Sequence, residues 1–326
     1  MFDIITFGSV TWDIFLTPEK FKILRDKKFS TRKALCFDFA SKIEAKDIYF
    51  ASGGGGSNSA TTLSKQGFKV AYCGRVGRDR AGQEIIEKIE KMGVNCQFVL
   101  KTKKAPTNHS VILNIPKKDR TIIVYRGASG FLAKEDLPWA KLKAKWFYLA
   151  PFSGELAKMS KVLVDFAKEN VIKVLFNPSQ TQLSMKKLVL KNIISKVDIL
   201  LLNQEEASKL TKVPYEKEEK VFKKLDRICP GIAIMTKGKK GVTVSDGNYL
   251  YKSGSIRTKV VDKTGAGDAF GSGFLSGILK SEGSIEYAIQ LGTANARRCL
   301  KEKGAKQGLL GRGENFEKVK VKKKKL

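Results

Sequence analysis

The chain has 326 residues, 42% of them hydrophobic, with 62 Lys and Arg against 32 Asp and Glu and a net charge of +30 at pH 7. That length buries a large core and fits one big domain with a small appendage, while five dispersed cysteines and a single histidine exclude a disulfide framework, a zinc cluster and multi-histidine catalysis. No apolar run approaches the roughly 18 residues that cross a bilayer, and no basic region precedes the first apolar run, so the expected setting is cytoplasmic.

In chain order, Asp3 to Val10 reads as a buried first strand ending in a turn, with Asp13 just beyond it as a carboxylate able to accept from two sugar hydroxyls. Residues from about 15 to 50 carry short alternating runs, among them Leu35-Cys36-Phe37-Asp38-Phe39 and Asp47-Ile48-Tyr49-Phe50, that predict a β-hairpin. Four glycines follow in Gly53-Gly54-Gly55-Gly56-Ser57-Asn58-Ser59-Ala60. A flexible linker is polar on both sides, whereas this run feeds an amphipathic helix pattern, so it reads as backbone brought close to a polyol. Asn58 offers a donor and an acceptor on one amide, which suits vicinal hydroxyls. Residues about 108 to 126 predict a second hairpin around a Pro-Lys-Lys-Asp turn, with His109 as a packing residue.

From about residue 145, apolar runs such as Trp146 to Leu149, Val174 to Phe176, Val197 to Leu202 and Ile232 to Met235 alternate with amphipathic stretches. This alternation implies a parallel sheet covered on both faces, with ligands at the carboxyl ends of its strands. Asn203, Thr236 and the turn at Gly265 are each expected to follow directly on a strand, the last after an alternating run from Ser255 to Val261. Ala269, Phe270, Gly273, Phe274, Gly277 and Ile278 then recur at helical spacing. The first amides of such a helix have no intrahelical partners and carry the positive end of its dipole, so they can hold an anion beside the Asp268 carboxylate. Lysines crowd the C-terminus from Lys318 to Lys325, a pattern that predicts disorder.

Gly53-Gly54-Gly55-Gly56-Ser57-Asn58-Ser59-Ala60, Asn203-Gln204-Glu205-Glu206, Thr236-Lys237-Gly238-Lys239-Lys240-Gly241 and Asp262-Lys263-Thr264-Gly265-Ala266-Gly267-Asp268 together resemble the motifs of the ribokinase-like (PfkB) carbohydrate kinase family, in its order, from about residue 3 to about 308. The resemblance implies an α/β three-layer sandwich with a central, mostly parallel sheet and a small β-sheet lid, spanning residues 1–312 with lid segments at about 15–50 and 108–126. Residues 313–326 are left as a basic tail. It implies Asp268 as general base, Gly265, Ala266 and Gly267 as anion hole, and Asp13, Gly54, Gly55 and Asn58 at the substrate. Asn203, Thr236, Gly238, Gly241 and Asn295 would face the nucleotide, and Glu206 would meet magnesium through water. Asp262 and Thr264 match positions that hold a monovalent cation such as K+ in family members, although Lys263 replaces a residue that is commonly Thr.

The implied activity is transfer of the γ-phosphate of ATP, with Mg2+, to a hydroxyl of a sugar. A nucleoside acceptor of the adenosine type is the alternative within the family, and a non-catalytic nucleic-acid or regulatory binding protein on the same scaffold is the alternative outside it. The positive charge is dispersed and no nucleic-acid-binding motif accompanies it, so no specific nucleic acid is expected as partner. The outer face of the lid is a place where a homodimer could form.

Overall fold

Apolar runs without polar alternation are what strands need when both sheet faces are covered, and the computed structural model, which describes residues 1–29, 31–115 and 120–326, pairs them in that way. Its strands are β1 (Phe2–Phe7), β2 (Thr11–Pro18), β3 (Lys22–Arg25), β4 (Lys33–Cys36), β5 (Ala45–Gly53), β6 (Val70–Gly77), β7 (Asn95–Thr102), β8 (Asn108–Asn114), β9 (Arg120–Tyr125), β10 (Ala144–Leu149), β11 (Lys173–Phe176), β12 (Ile199–Asn203), β13 (Ile232–Thr236), β14 (Val242–Ser245), β15 (Tyr249–Ser253) and β16 (Val321–Lys325). Ten of them form one sheet in the order β16-β15-β14-β13-β12-β11-β10-β1-β6-β7. From β7 through β1 to β13 all pairings are parallel, and β14, β15 and β16 are added antiparallel.

Helices cover both faces. Met159–Glu169, Lys187–Ile194 and Glu218–Asp226 enclose one core with Phe147, Leu149, Phe176 and Leu200. Gly55–Lys65, Arg80–Lys91, Ala266–Lys280 and Ile285–Cys299 enclose the other with Ile4, Tyr72, Tyr148 and Leu201. Each large side chain taken fully out of water in these two layers contributes about 1.5–3 kcal/mol. The Ala266–Lys280 and Ile285–Cys299 helices pack so closely that a methyl group on Gly277 would lie 2.4 Å from the Ala288 Cα.

β1 has β6 on one side and β10 on the other, so the chain first winds outwards through β6 and β7 and then crosses to β10. Strand order reverses there, and in open parallel sheets that reversal opens a crevice at the carboxyl ends.

A separate four-stranded sheet, β5-β2-β8-β9, forms the expected lid. It starts at Thr11, earlier than the alternation suggested, and β3 and β4 make their own two-stranded hairpin. The turn expected between the strands of the second hairpin, residues 116–119, lies outside the described residues. Asp13 and Phe15 point inwards, while Ile48, Phe50 and the run Ile122 to Tyr125 are exposed.

The lysine-rich C-terminus corrects the expectation of disorder. Residues 321–325 form β16 along β15, the Leu326 amide donates to the Asn248 carbonyl at 2.9 Å, and Lys323 lies 3.9 Å from the Tyr249 ring centroid. Val319 is buried and Val321 packs on the second core, so two valines among the lysines anchor the segment. Among the described residues no helix is long and apolar enough to cross a membrane.

Candidate active site

The glycine run enters the crevice where β1 and β10 end. Gly54 has φ 92°, a backbone conformation that L side chains avoid, and a methyl group on it would fall 2.5 Å from the Ser9 carbonyl oxygen. The expected substrate contact is therefore not what demands glycine; the turn after β1 does. Gly55 is different, because a methyl group there would stand 3.3 Å from Asp268 Oδ1, on the edge of the site. The Gly55–Lys65 helix begins at this point and buries Asn58, whose Nδ2 donates to Asp268 Oδ2 at 2.8 Å. Asn58 Oδ1 is buried with no hydrogen-bond partner among the described residues. An amide oxygen in that state is costly unless a ligand donor meets it.

Asp268 lies in the first turn of the Ala266–Lys280 helix. The segment before it is not the expected strand: residues 254–265 find no partner strand among the described residues, Val260 and Val261 are exposed, and Asp262 organises the loop instead. Asp262 Oδ1 accepts from the Thr264 amide at 2.9 Å and hydroxyl at 2.7 Å, and Oδ2 accepts from the Gly304 amide at 3.0 Å. Gly265 follows with φ 75°, pressed so tightly on Ala305 that a methyl group would overlap its Cβ at 2.2 Å. Beyond it the amides of Ala266 and Gly267 open the helix, and nothing stands within 4 Å of a methyl group built on Gly267. Amides in the first turn of a helix lack intrahelical acceptors, and although the Ala266 amide reaches the Lys263 carbonyl at 3.5 Å, the open space at Gly267 leaves room to receive an anion. Burial raises the Asp268 carboxyl above the ordinary aspartate value, while the Asn58 donor and the Lys306 cation pull it back down.

Asp13 sits on β2 at 6% exposure, flush against Gly53, where a methyl group would overlap its Oδ2 at 1.9 Å. Burial pushes its carboxyl up to about 6, against the opposing pull of Lys306 and a hydrogen bond from Ser110.

Lys306 is the residue that sequence reasoning missed. It is 3% exposed, donates to the Ser52 carbonyl at 2.7 Å and the Ser52 hydroxyl at 3.2 Å, and stands 3.5 Å from the Gly53 carbonyl. Burial brings its ammonium down to about 7, and the charges of Asp13 and Asp268 resist that fall. In a chain with 62 cationic side chains, one more lysine gives no signal; only the small pair Gly304-Ala305 before it marks a tightly packed turn.

The residues expected at the nucleotide separate into two groups. Asn203 and Thr236 end β12 and β13 and are direct neighbours in register, so they share the carboxyl rim of the sheet. Asn203 Oδ1 accepts from the Glu206 amide at 2.9 Å and Glu206 Oε2 from the Asn203 amide at 2.7 Å, a reciprocal cap on the Gln204–Thr211 helix. Burial raises the Glu206 carboxyl. Gly238 has φ 54° with open space beyond it. Gly241 is needed for the entry to β14, since a methyl group would meet the Ser253 carbonyl oxygen at 2.0 Å.

Asn295 requires correction. It is fully buried, its Nδ2 donates to the Ala269 carbonyl at 2.7 Å and its Oδ1 accepts from the Leu310 amide at 2.9 Å, so it ties helices together and faces no nucleotide.

Among the described residues no three His, Cys, Asp or Glu converge as a metal cluster. Magnesium carried on nucleotide phosphates keeps most of its waters and needs only one or two carboxylates, and Glu206 stands at the rim as such a carboxylate. The monovalent-cation reading of Asp262 and Thr264 does not fit. Besides the three donors above, the Arg120 guanidinium lies 3.3 Å from Asp262 Oδ1, and the Thr264 carbonyl faces the Cys299 thiol at 3.5 Å. Those oxygens already meet donors.

The pfkB family carbohydrate kinase model matches residues 3–310. A ribokinase of Lactococcus lactis subsp. lactis is 29% identical over 271 residues, 81% of this chain and 84% of that protein. An Arabidopsis thaliana ribokinase solved with ribose and ATP superposes with TM-score 0.77 at 22% identity, covering 95% of this chain and 96% of the other. The nucleoside kinase of Methanocaldococcus jannaschii superposes equally well, with TM-score 0.77 at 21% identity and 95% of each chain covered.

Proposed function

This chain belongs to the pfkB family of carbohydrate kinases, and on that premise we propose that it transfers the γ-phosphate of ATP to a hydroxyl of a sugar, with Asp268 as general base and residues 1–312 as the catalytic unit. The observation that carries the reading is the 2.8 Å hydrogen bond from Asn58 to Asp268, which brings the glycine run and the helix N-terminus to one point.

Asp13 and the unpartnered Asn58 Oδ1 accept from hydroxyls of the acceptor and orient it. The hydroxyl aimed at Asp268 loses its proton to that carboxylate as the new O–P bond forms and the bond to the bridging oxygen of ADP breaks, the electron pair leaving with ADP. Amides of Gly265, Ala266 and Gly267 face the oxygens of the moving phosphoryl group. Asn203, Thr236 and Gly238 on the rim hold the nucleotide, and magnesium, when bound with it at Glu206, offsets the phosphate charge. The lid excludes water from this exchange.

A sugar suits the pocket better than a nucleoside. Strand alternation puts Trp12 on the face opposite Asp13, and its ring is already covered by Lys88 Nζ at 4.2 Å and neighboured by Phe50 at 6.3 Å. Phe37 and Phe39, the other aromatics suited to a base clamp, are both exposed. Assaying ADP release over a panel of sugars and nucleosides with ATP and magnesium tests the reading. Turnover of nucleosides alone would replace it by the nucleoside reading, and turnover of none would remove the kinase reading. The exposed apolar residues of β9 suit burial by a second copy of the lid, which light scattering would detect as a dimer.

A further inference from the structure

We propose that Arg120 takes the place of a monovalent cation at Asp262, latching the lid to the anion-hole loop so that phosphoryl transfer by this chain needs no potassium. The inference rests on the kinase reading for its catalytic consequence, and on geometry for the site itself.

Asp262 is 9% exposed and its carboxylate is shared among three parts of the molecule. Oδ1 receives the Thr264 amide and hydroxyl from its own loop and Arg120 Nη1 from the lid strand β9; Oδ2 receives the Gly304 amide from the loop that also carries Lys306. Four donors converge on two oxygens. A bound alkali ion would need those same lone pairs and would lie against N–H and O–H hydrogens of like polarity. The Thr264 carbonyl, a second oxygen that such an ion would use, faces the Cys299 thiol.

A guanidinium brings the same unit charge as a potassium ion, but it arrives tethered, permanently protonated and with directed donors. The side chains of Arg120 and Asp262 are 22% and 8% exposed, so the pair is better shielded from water and salt than a surface ion pair. Position matters as much as charge. Asp262 opens the turn that ends at Gly265, and the amides of Ala266 and Gly267 follow directly. Arg120 thus couples lid closure to the ordering of the amides that receive the phosphoryl group, acting as a positioning residue through Asp262.

The test compares the full chain in potassium chloride and in tetramethylammonium chloride at equal ionic strength. Wild-type turnover is expected to be the same in both, and its melting midpoint is expected not to rise with potassium, as it would if the folded state bound the ion. Arg120→Ala is expected to lose about tenfold or more in kcat in tetramethylammonium, the scale for stripping one partner from a shielded pair, and to regain part of it in potassium. Arg120→Lys restores the charge without the fork and is expected to fall between the two. Several-fold activation of the wild type by potassium, or a potassium-dependent rise of its midpoint, would overturn the proposal, as would an Arg120→Ala enzyme that keeps full activity without potassium. Should no acceptor be turned over, the kinase reading fails separately and the melting comparison still decides the cation.

Discussion

Asn58 Nδ2 lies 2.8 Å from Asp268 Oδ2, although 210 positions separate the two residues along the chain. The bond orients the carboxylate and favours its ionised form against the opposing effect of burial, while leaving Oδ1 turned towards Gly55. Asp268→Asn is expected to lower kcat by roughly 10²–10⁴-fold, the range for loss of a positioned base, with ATP affinity measured by calorimetry unchanged. A variant that retained near-normal kcat would remove Asp268 from the reaction.

Asp13 supplies a pH dependence of known sign. Its folded carboxyl lies at about 6, above the ordinary 3.8, so the ionised acceptor form is lost as the pH drops through about 6. The value of kcat/KM for the acceptor is expected to fall on that acid limb, in contrast to ATP binding at the other rim. Asp13→Asn is expected to raise acceptor KM roughly tenfold to a hundredfold, the equivalent of about 1.5–3 kcal/mol for a hydrogen bond to a charged group.

Lys306 stabilises both carboxylates in their ionised form. Lys306→Met is expected to move the acid limb of the rate profile upwards by about one pH unit, as for loss of a nearby opposite charge. A stability signature accompanies it. The folded ammonium titrates at about 7, below its ordinary 10.5, so the unfolded chain binds more protons between these values and the contribution of this lysine to stability rises across that window. Melting curves at pH 7 and 9 are expected to show a larger rise for the wild type than for Lys306→Met; equal rises would place Lys306 outside this network.

Two glycines provide an internal contrast. Gly53→Ala drives a methyl group into Asp13 Oδ2 and is expected to raise acceptor KM and cost about 1–3 kcal/mol in stability, as overpacking does. Gly267→Ala meets open space at the exposed position of a half-buried first turn, so melting is expected to stay level or rise, with about 1 kcal/mol of helix propensity in its favour. Its kcat is nevertheless expected to fall on the order of a hundredfold, because the methyl group intrudes where the phosphoryl oxygens meet the amides. Unchanged kcat in Gly267→Ala would move the anion hole elsewhere.

Much of the scaffold was legible because period and composition are local. Uninterrupted apolar runs announced doubly covered strands at β10, β12 and β13, and the four glycines announced a close approach, though one made mainly to the turn at Ser9 and to Asp13. What was hidden depends on partners distant in sequence. Lys306 differs from other lysines only in being enclosed by Ser52, Asp13 and Asp268, and Asn295 differs from a ligand-binding asparagine only in the helices around it. Residues 255–261 alternate like a strand but pair with no other strand among the described residues, and Lys318 to Lys325 look unstructured until β15 offers its ladder.

That ladder has a consequence beyond folding. Without residues 321–325 the main sheet would end on β15, whose free amides and carbonyls could recruit any passing strand. With them, the outermost row is Lys322 to Lys325, exposed and of one charge, with Lys324 paired to Glu219 at 2.6 Å and Lys323 over the Tyr249 ring. A second molecule approaching β16 to β16 would bring the same lysines against these, so like-charge repulsion disfavours growth of the ten-stranded sheet from this one of its two margins.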